Sequence, residues 1–152
     1  MNYSLSSLWL RRKHYYGIRP HDKHCYFYTT RSFGKSEVEV EDKGYALGFS
    51  KCNLTDERLC AIWNRMVGFQ PIWMNLQPSI AFLLCKVIES HELKQLESLK
   101  YIELTGELLT SDMKRHIEDV FHVKVVNQYG SVEVNSIAFE CPCGHLHCLD
   151  EN

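Results

Sequence analysis

Between positions 127 and 133 the chain reads Asn127-Gln128-Tyr129-Gly130-Ser131-Val132-Glu133, and Glu140-Cys141-Pro142-Cys143-Gly144-His145-Leu146-His147 follows seven residues later. Tyr129 offers a flat ring for a purine, and Gly130 permits a tight turn whose backbone N–H groups can face an anion. Glu133 supplies a hard oxygen for Mg2+ beside phosphates. An ordinary turn, with Tyr129 packed and Glu133 solvated, uses the same residue types. The Cys141-Pro142-Cys143-Gly144 run has the form of a metal knuckle, and His147 follows with enough slack to turn back toward it.

The elements that must position these groups are legible from periodicity. Tyr101-Ile102-Glu103-Leu104 forms a strand, Thr110 caps a helix with Met113, Ile117, Val120 and Phe121 inward, and residues 123–126 form the next strand. A strand, a helix and a strand joined by short loops make a right-handed crossover with the two strands parallel. Their C-terminal ends then share one edge of the sheet. That edge carries Thr105-Gly106-Glu107 and residues 127–133, and ligands of open α/β sheets bind there. Upstream, residues 25–30 are strand-like. Residues 37–41 alternate with period two as an edge or hairpin strand, and residues 45–49 pair with them. Thr55 caps a helix with Leu59, Ile62, Trp63 and Met66 on one face, ended by Gly68. Residues 71–76 are a short strand, and Pro78-Ser79 opens a helix with Phe82, Leu83, Val87 and Ile88. A first helix with Leu8, Trp9 and Arg12 at helical spacing stops at Gly17.

Composition narrows the class. At 152 residues, 45% hydrophobic and 12% aromatic, the chain is long and apolar enough for one globular domain. A net charge of −2 gives no general attraction to nucleic acid or membranes, and no apolar run approaches a bilayer span. Seven cysteines without a secretory signal indicate a reduced, cytoplasmic protein. Arg11-Arg12-Lys13-His14 reads as a solvated helix end. Cys60, Cys85, Trp63, Trp73 and Phe82 read as core.

In order and spacing these segments resemble the adenylate-forming enzymes. Tyr129 to Glu133 is similar to their Tyr-Gly-x-Thr/Ser-Glu motif, and Thr105-Gly106-Glu107-Leu108-Leu109 to their upstream Gly-Glu loop. Glu140-Cys141-Pro142, then Gly144 and His147, then acidic residues, resembles the phenylacetate-CoA ligase-like branch with its capsular-polysaccharide-biosynthesis relatives. The likeness is closest over residues 101–152 and looser from Leu8 to Pro78-Ser79. It implies an α/β fold corresponding to the central portion of the large N-terminal domain, with a mixed sheet. It also implies that Thr105, Gly106 and Glu107 line the adenine side, that Tyr129 stacks on adenine with Asn127 and Gln128 at its edge, and that Gly130 and Ser131 approach the acyl or phosphate region. Glu133 would bind Mg2+. The implied reaction joins a small carboxylic acid, an aromatic acid among the options, to AMP from ATP and then to coenzyme A.

Three features depart from that pattern. Val132 stands where the family has a hydroxyl, with Ser131 or Ser136 as substitutes. The phosphate loop upstream of the first helix and the small C-terminal domain with its lysine are missing, and both ends read as cut. The 152 residues alone are therefore expected to have no turnover. For the cysteine cluster, the resemblance implies structural Zn2+ on Cys141 and His147, completed by a Cys-x-Cys pair further along. Cys143 and Cys148 are local alternatives, and unmetallated thiols a third. A zinc-stabilised module without catalysis, and an unrelated nucleotide-binding α/β protein, are the competing readings.

Overall fold

The computed structural model describes residues 3–28, 39–131, 133 and 135–149. The expected strand positions Thr29, Thr30, Glu37 and Val38, the substitution at Val132 and the acidic residues from 150 onward lie outside them.

Twelve elements follow in chain order: α1 (Tyr3–Tyr16), β1 (His24–Tyr28), β2 (Glu39–Asp42), β3 (Ala46–Ser50), α2 (Asp56–Phe69), β4 (Trp73–Leu76), α3 (Pro78–Ser90), β5 (Tyr101–Thr105), α4 (Ser111–Phe121), β6 (Lys124–Ser131), β7 (Asn135–Glu140) and β8 (Leu146–Cys148). The strands form one mixed sheet in the order β2-β3-β1-β4-β5-β6-β7-β8. Pairing from β3 through β6 is parallel, while β2, β7 and β8 each run antiparallel to the strand beside them. This is the mixed α/β architecture expected from the sequence, and β5–α4–β6 is its parallel crossover.

Period-two alternation divides each central strand between two cores. Cys25, Phe27, Met74, Leu76, Ile102, Leu104 and Val125 face a large core under α2, α3 and α4. Trp73, Tyr101, Val126 and Phe139 face the opposite side, where Leu8 of α1 and Ile18 close a smaller core. Tyr16 of α1 stacks on Tyr101 with ring centroids 4.9 Å apart.

The helix starts follow their caps. Thr55 accepts the Arg58 N–H at 3.3 Å, and Thr110 accepts that of Met113 at 3.2 Å. Helix α2 does not stop at Gly68. It runs to Phe69 and closes on Gln70, which takes the left-handed conformation at φ 58° and returns its N–H to Met66. Glycine is unnecessary there because the Gln70 amide also bonds the Val67 carbonyl at 2.6 Å.

Arg12 departs from the solvated helix end. Its guanidinium is buried, gives two bonds to Glu103 at 2.7 and 2.6 Å, and lies between the rings of Trp9 and Trp73. Asn75 and Tyr101 donate to the same carboxylate. Lys13 and His14 are exposed, as expected.

Candidate functional site

At the carboxyl edge of β5 and β6, residues 106–109 and 127–130 wall a cavity of about 400 Å3. The two loops meet because parallel pairing sets Thr105 beside Gln128, so both chains leave the sheet on the same side. Of the expected site residues, Gly106, Glu107, Asn127, Gln128, Tyr129 and Gly130 line this space. Thr105, Ser131 and Glu133 do not line it. A cavity of about 390 Å3 lies beside α1, but its Arg12 and Lys43 are already paired with Glu103 and Glu41.

The local backbone differs from a strand-to-helix turn. β6 continues through Ser131 because β7 folds back on it. Tyr129 pairs with Ala138 and Gly130 with Ser136 across a bulge. Gly130 is therefore a strand residue without positive φ, and the expected turn of anion-facing amides does not form at this glycine. Gly106, at φ 83°, is the glycine of this edge whose conformation disfavours a side chain.

The side chains divide into free and committed groups. Tyr129 is 59% exposed, with its ring available to stack. Gln128 is buried and donates to Ser136 Oγ at 2.9 Å, so its amide nitrogen and that hydroxyl oxygen are engaged with each other. Glu107 gives its carboxylate to α3, accepting the Ser79 N–H and hydroxyl at 2.9 Å each. It caps a helix whose own N-cap residue, Gln77, makes no side-chain capping bond. Glu133 is exposed, and its own backbone N–H followed by the Ser131 hydroxyl holds its carboxyl below the usual range. A single ionised carboxylate suits Mg2+, which takes one or two protein oxygens and fills its remaining positions with phosphate and water.

Behind this edge, Cys141 Sγ and ring nitrogens of His145 and His147 lie within 4.8 Å of one another. The expected pair Cys141 and His147 come together, and the third group within this distance is His145, while Cys143 is not among the three. Cys143 sits in the turn, whereas His145 directly precedes β8 and His147 lies within it, two residues on. Hydrogen bonding from the His145 backbone, and further from Cys143, holds the Cys141 thiol below its ordinary range. That favours thiolate, the form that ligates zinc.

Sequence reasoning missed Ser79, Lys114, His145 and the carboxylate of Glu140. Glu140 is buried at the end of β7, where it accepts the Asn127 N–H and pairs with Lys114. The i, i+2 histidine spacing was the available signal for His145. Ser79 and Glu140 stood in the sequence only as part of a helix start and of a Glu-Cys-Pro run, and nothing local marks Lys114.

Neither a scan against protein-family models nor a search of curated proteins finds a match. Solved structures do match in fold. A 2-hydroxyisobutyryl-CoA ligase in complex with 2-HIB-AMP and CoA aligns with TM-score 0.64 and 20% identity, over 87% of this chain and 30% of that one. The anthranilate CoA ligase AuaEII in complex with anthranoyl-AMP aligns with TM-score 0.62 and 14% identity, over 95% and 28%. A benzoate CoA ligase from Burkholderia xenovorans LB400 gives TM-score 0.62 and 15% identity, over 95% and 29%. The chain thus spans less than a third of the length of these three ligases, and it shares the fold of that part of them.

Proposed function

We propose that this chain is the nucleotide-facing portion of an ATP-dependent carboxylic acid ligase of the adenylate-forming type, within the phenylacetate-CoA ligase-like branch. The observation that carries this reading is the wall formed at one sheet edge by residues 106–109 and 127–130, with the Tyr129 ring exposed in it. The ligases of the same fold, whose structures hold acyl-AMP, support it. Their greater length supports reading residues 1–152 as part of a larger nucleotide-binding domain. We assign the chain to the cytoplasm on its seven unpaired cysteines, which a reducing compartment would keep as thiols.

In this reading Tyr129 stacks on adenine, and the backbone around Gly106 lies close because it carries no side chain. Glu107 contributes indirectly, by tying its loop to α3 through Ser79. Glu133 would hold Mg2+, whose charge lowers the cost of bringing a carboxylate to the α-phosphate. The acid's oxygen attacks that phosphorus, pyrophosphate leaves, and an acyl-adenylate forms. Coenzyme A thiol then displaces AMP to give the thioester, its proton passing to solvent. Cys141, His145 and His147 would hold structural Zn2+, with a fourth position for a further ligand.

The test is AMP binding followed by calorimetry, with Tyr129→Ala as the variant. Stacking of a base on an aromatic side chain contributes about 1–3 kcal/mol, so affinity should fall by about five- to 150-fold while the fold stays intact. Unchanged affinity in Tyr129→Ala would remove the adenine assignment. The donor cluster also favours a second reading, a zinc-stabilised module without turnover. Pyrophosphate exchange by a longer chain containing these residues, lost in Glu133→Gln, separates the ligase from that module.

A further inference from the structure

The adenine-facing strand and the Cys/His turn are separate parts of the proposed site, yet one buried residue bonds the first and leads directly into the second. Glu140, the last residue of β7, is 5% exposed. Its Oε2 accepts the backbone N–H of Asn127 at 2.7 Å, and its Oε1 receives the Lys114 ammonium from α4. Gln128 pairs with Phe139, so the register sets Asn127 opposite Glu140. At this end of the strand pair the ladder is closed by a carboxylate.

Glu140 leads directly into the donor turn. That turn closes through the Gly144 N–H to the Cys141 carbonyl and the Cys141 N–H to the His145 carbonyl, each 2.9 Å. Gly144 has φ 83°, and a Cβ there would meet Glu140 Oε1 at 3.7 Å. The carboxylate and Gly144 therefore border the same small space, and Glu140 is joined directly to Cys141, the first residue of that turn. A cavity of about 300 Å3 lined by Lys114, Glu140 and Gly144 also shares Leu109 and Asn127 with the adenine-side cavity.

We propose that Glu140 is a positioning residue, through which metal bound by the Cys141-to-His147 turn sets the backbone of Asn127 and Tyr129 and so tunes nucleotide affinity. This rests on the proposed function for its ligand. The chemistry is mechanical. Cys141, His145 and His147, drawn together on a metal, would shift the backbone next to Glu140, and the carboxylate would carry that displacement to the Asn127 amide. Coupling of this kind is reciprocal, so AMP must raise Zn2+ affinity by the factor by which Zn2+ raises AMP affinity.

The experiment titrates the full chain with AMP, once with Zn2+ bound and once after chelation, and follows the Asn127 amide by NMR. In the wild type Zn2+ should tighten AMP about fivefold or more and shift the Asn127 resonance. Glu140→Ala should still bind Zn2+, since the donors are untouched, but show one AMP affinity in both metal states. Glu140→Gln keeps an acceptor for the Asn127 N–H and should retain the coupling, as should Lys114→Met. Absence of Zn2+ binding, equal AMP affinities in the wild type, or coupling undiminished in Glu140→Ala each overturns the proposal. Should Glu140→Ala lose its fold by circular dichroism, the wild-type Asn127 amide decides, and an amide unmoved by Zn2+ overturns it. AMP that binds in neither metal state refutes the nucleotide reading alone, with the same amide then judging the coupling.

Discussion

Glu103→Ala should be among the most damaging single substitutions in this chain. Glu103 receives two bonds from Arg12 at 2.7 and 2.6 Å, one from Asn75 and one from Tyr101 at 3.0 Å each. The side chains of the ion pair are 8% and 0% exposed. Arg12 is further enclosed by Trp9 and Trp73, with ring centroids 4.6 and 4.7 Å from its guanidinium carbon. Deleting the carboxylate leaves a cation, an amide and a phenol in the interior without their acceptor. Breaking a buried pair from one side costs about 3–5 kcal/mol. That is a large share of a total stability on the order of 5–15 kcal/mol. For a chain of this size it corresponds to a melting point lower by roughly 6–20 °C. The assay is urea unfolding followed by circular dichroism. The paired replacement Arg12→Met with Glu103→Leu keeps volume and removes both charges, so it should recover most of the loss. Glu103→Ala within about 1 kcal/mol of wild type would refute the claim that the charge is stranded. A double variant as unstable as the single would assign the loss to packing instead.

Three further outcomes are expected. Glu107→Ala should destabilise by about 1 kcal/mol in thermal melts, because Glu107 caps α3 through Ser79, whereas Gln77→Ala, at the formal cap, should cost much less. His24 is half-buried and stacked on Trp73, and burial lowers its pKa. The unfolded chain therefore binds the proton first, and stability is lost as pH falls from about 6.5 toward the folded value. His24→Phe keeps the stack and should flatten that decline between pH 7 and 5.5; an equal slope in both proteins would show that His24 does not cause it. Elemental analysis should find Zn2+ retained in Cys143→Ser and lost in Cys141→Ser and His145→Ala, the reverse order restoring Cys143 as a ligand.

Much of the framework was legible because it is written in short-range pattern. Thr55 and Thr110 announce their helices by a hydroxyl three residues ahead of a free N–H. The apolar runs on either side of α4 could only be strands joined by a crossover, which predicts the edge where residues 106–109 and 127–130 meet. The β6–β7 hairpin was less visible. Gly130 carries a turn signal, yet continued pairing with Ser136 keeps it in the strand, since ladder bonds outweigh a local preference. Gly68 failed as a helix stop for a similar reason: the Gln70 cap makes the bonds that end α2.

By itself the sequence determined which residues are apolar on which face, where helices begin, and that a tyrosine, a glycine and a carboxylate follow a parallel crossover. Local chemistry suffices for those, because periodicity and capping act within a turn or a pleat. Only the tertiary structure decided which carboxylate meets which donor. Arg12 and Glu103 lie 91 positions apart, Ser79 and Glu107 28, and Asn127 and Glu140 13. A buried carboxylate must find donors to offset its desolvation, but the requirement does not say which donors. That choice belongs to the packing of α1, α3 and α4 around the sheet. It turns Glu107 into a helix cap, Arg12 into a core residue and Glu140 into the link between the donor turn and the strand of Tyr129.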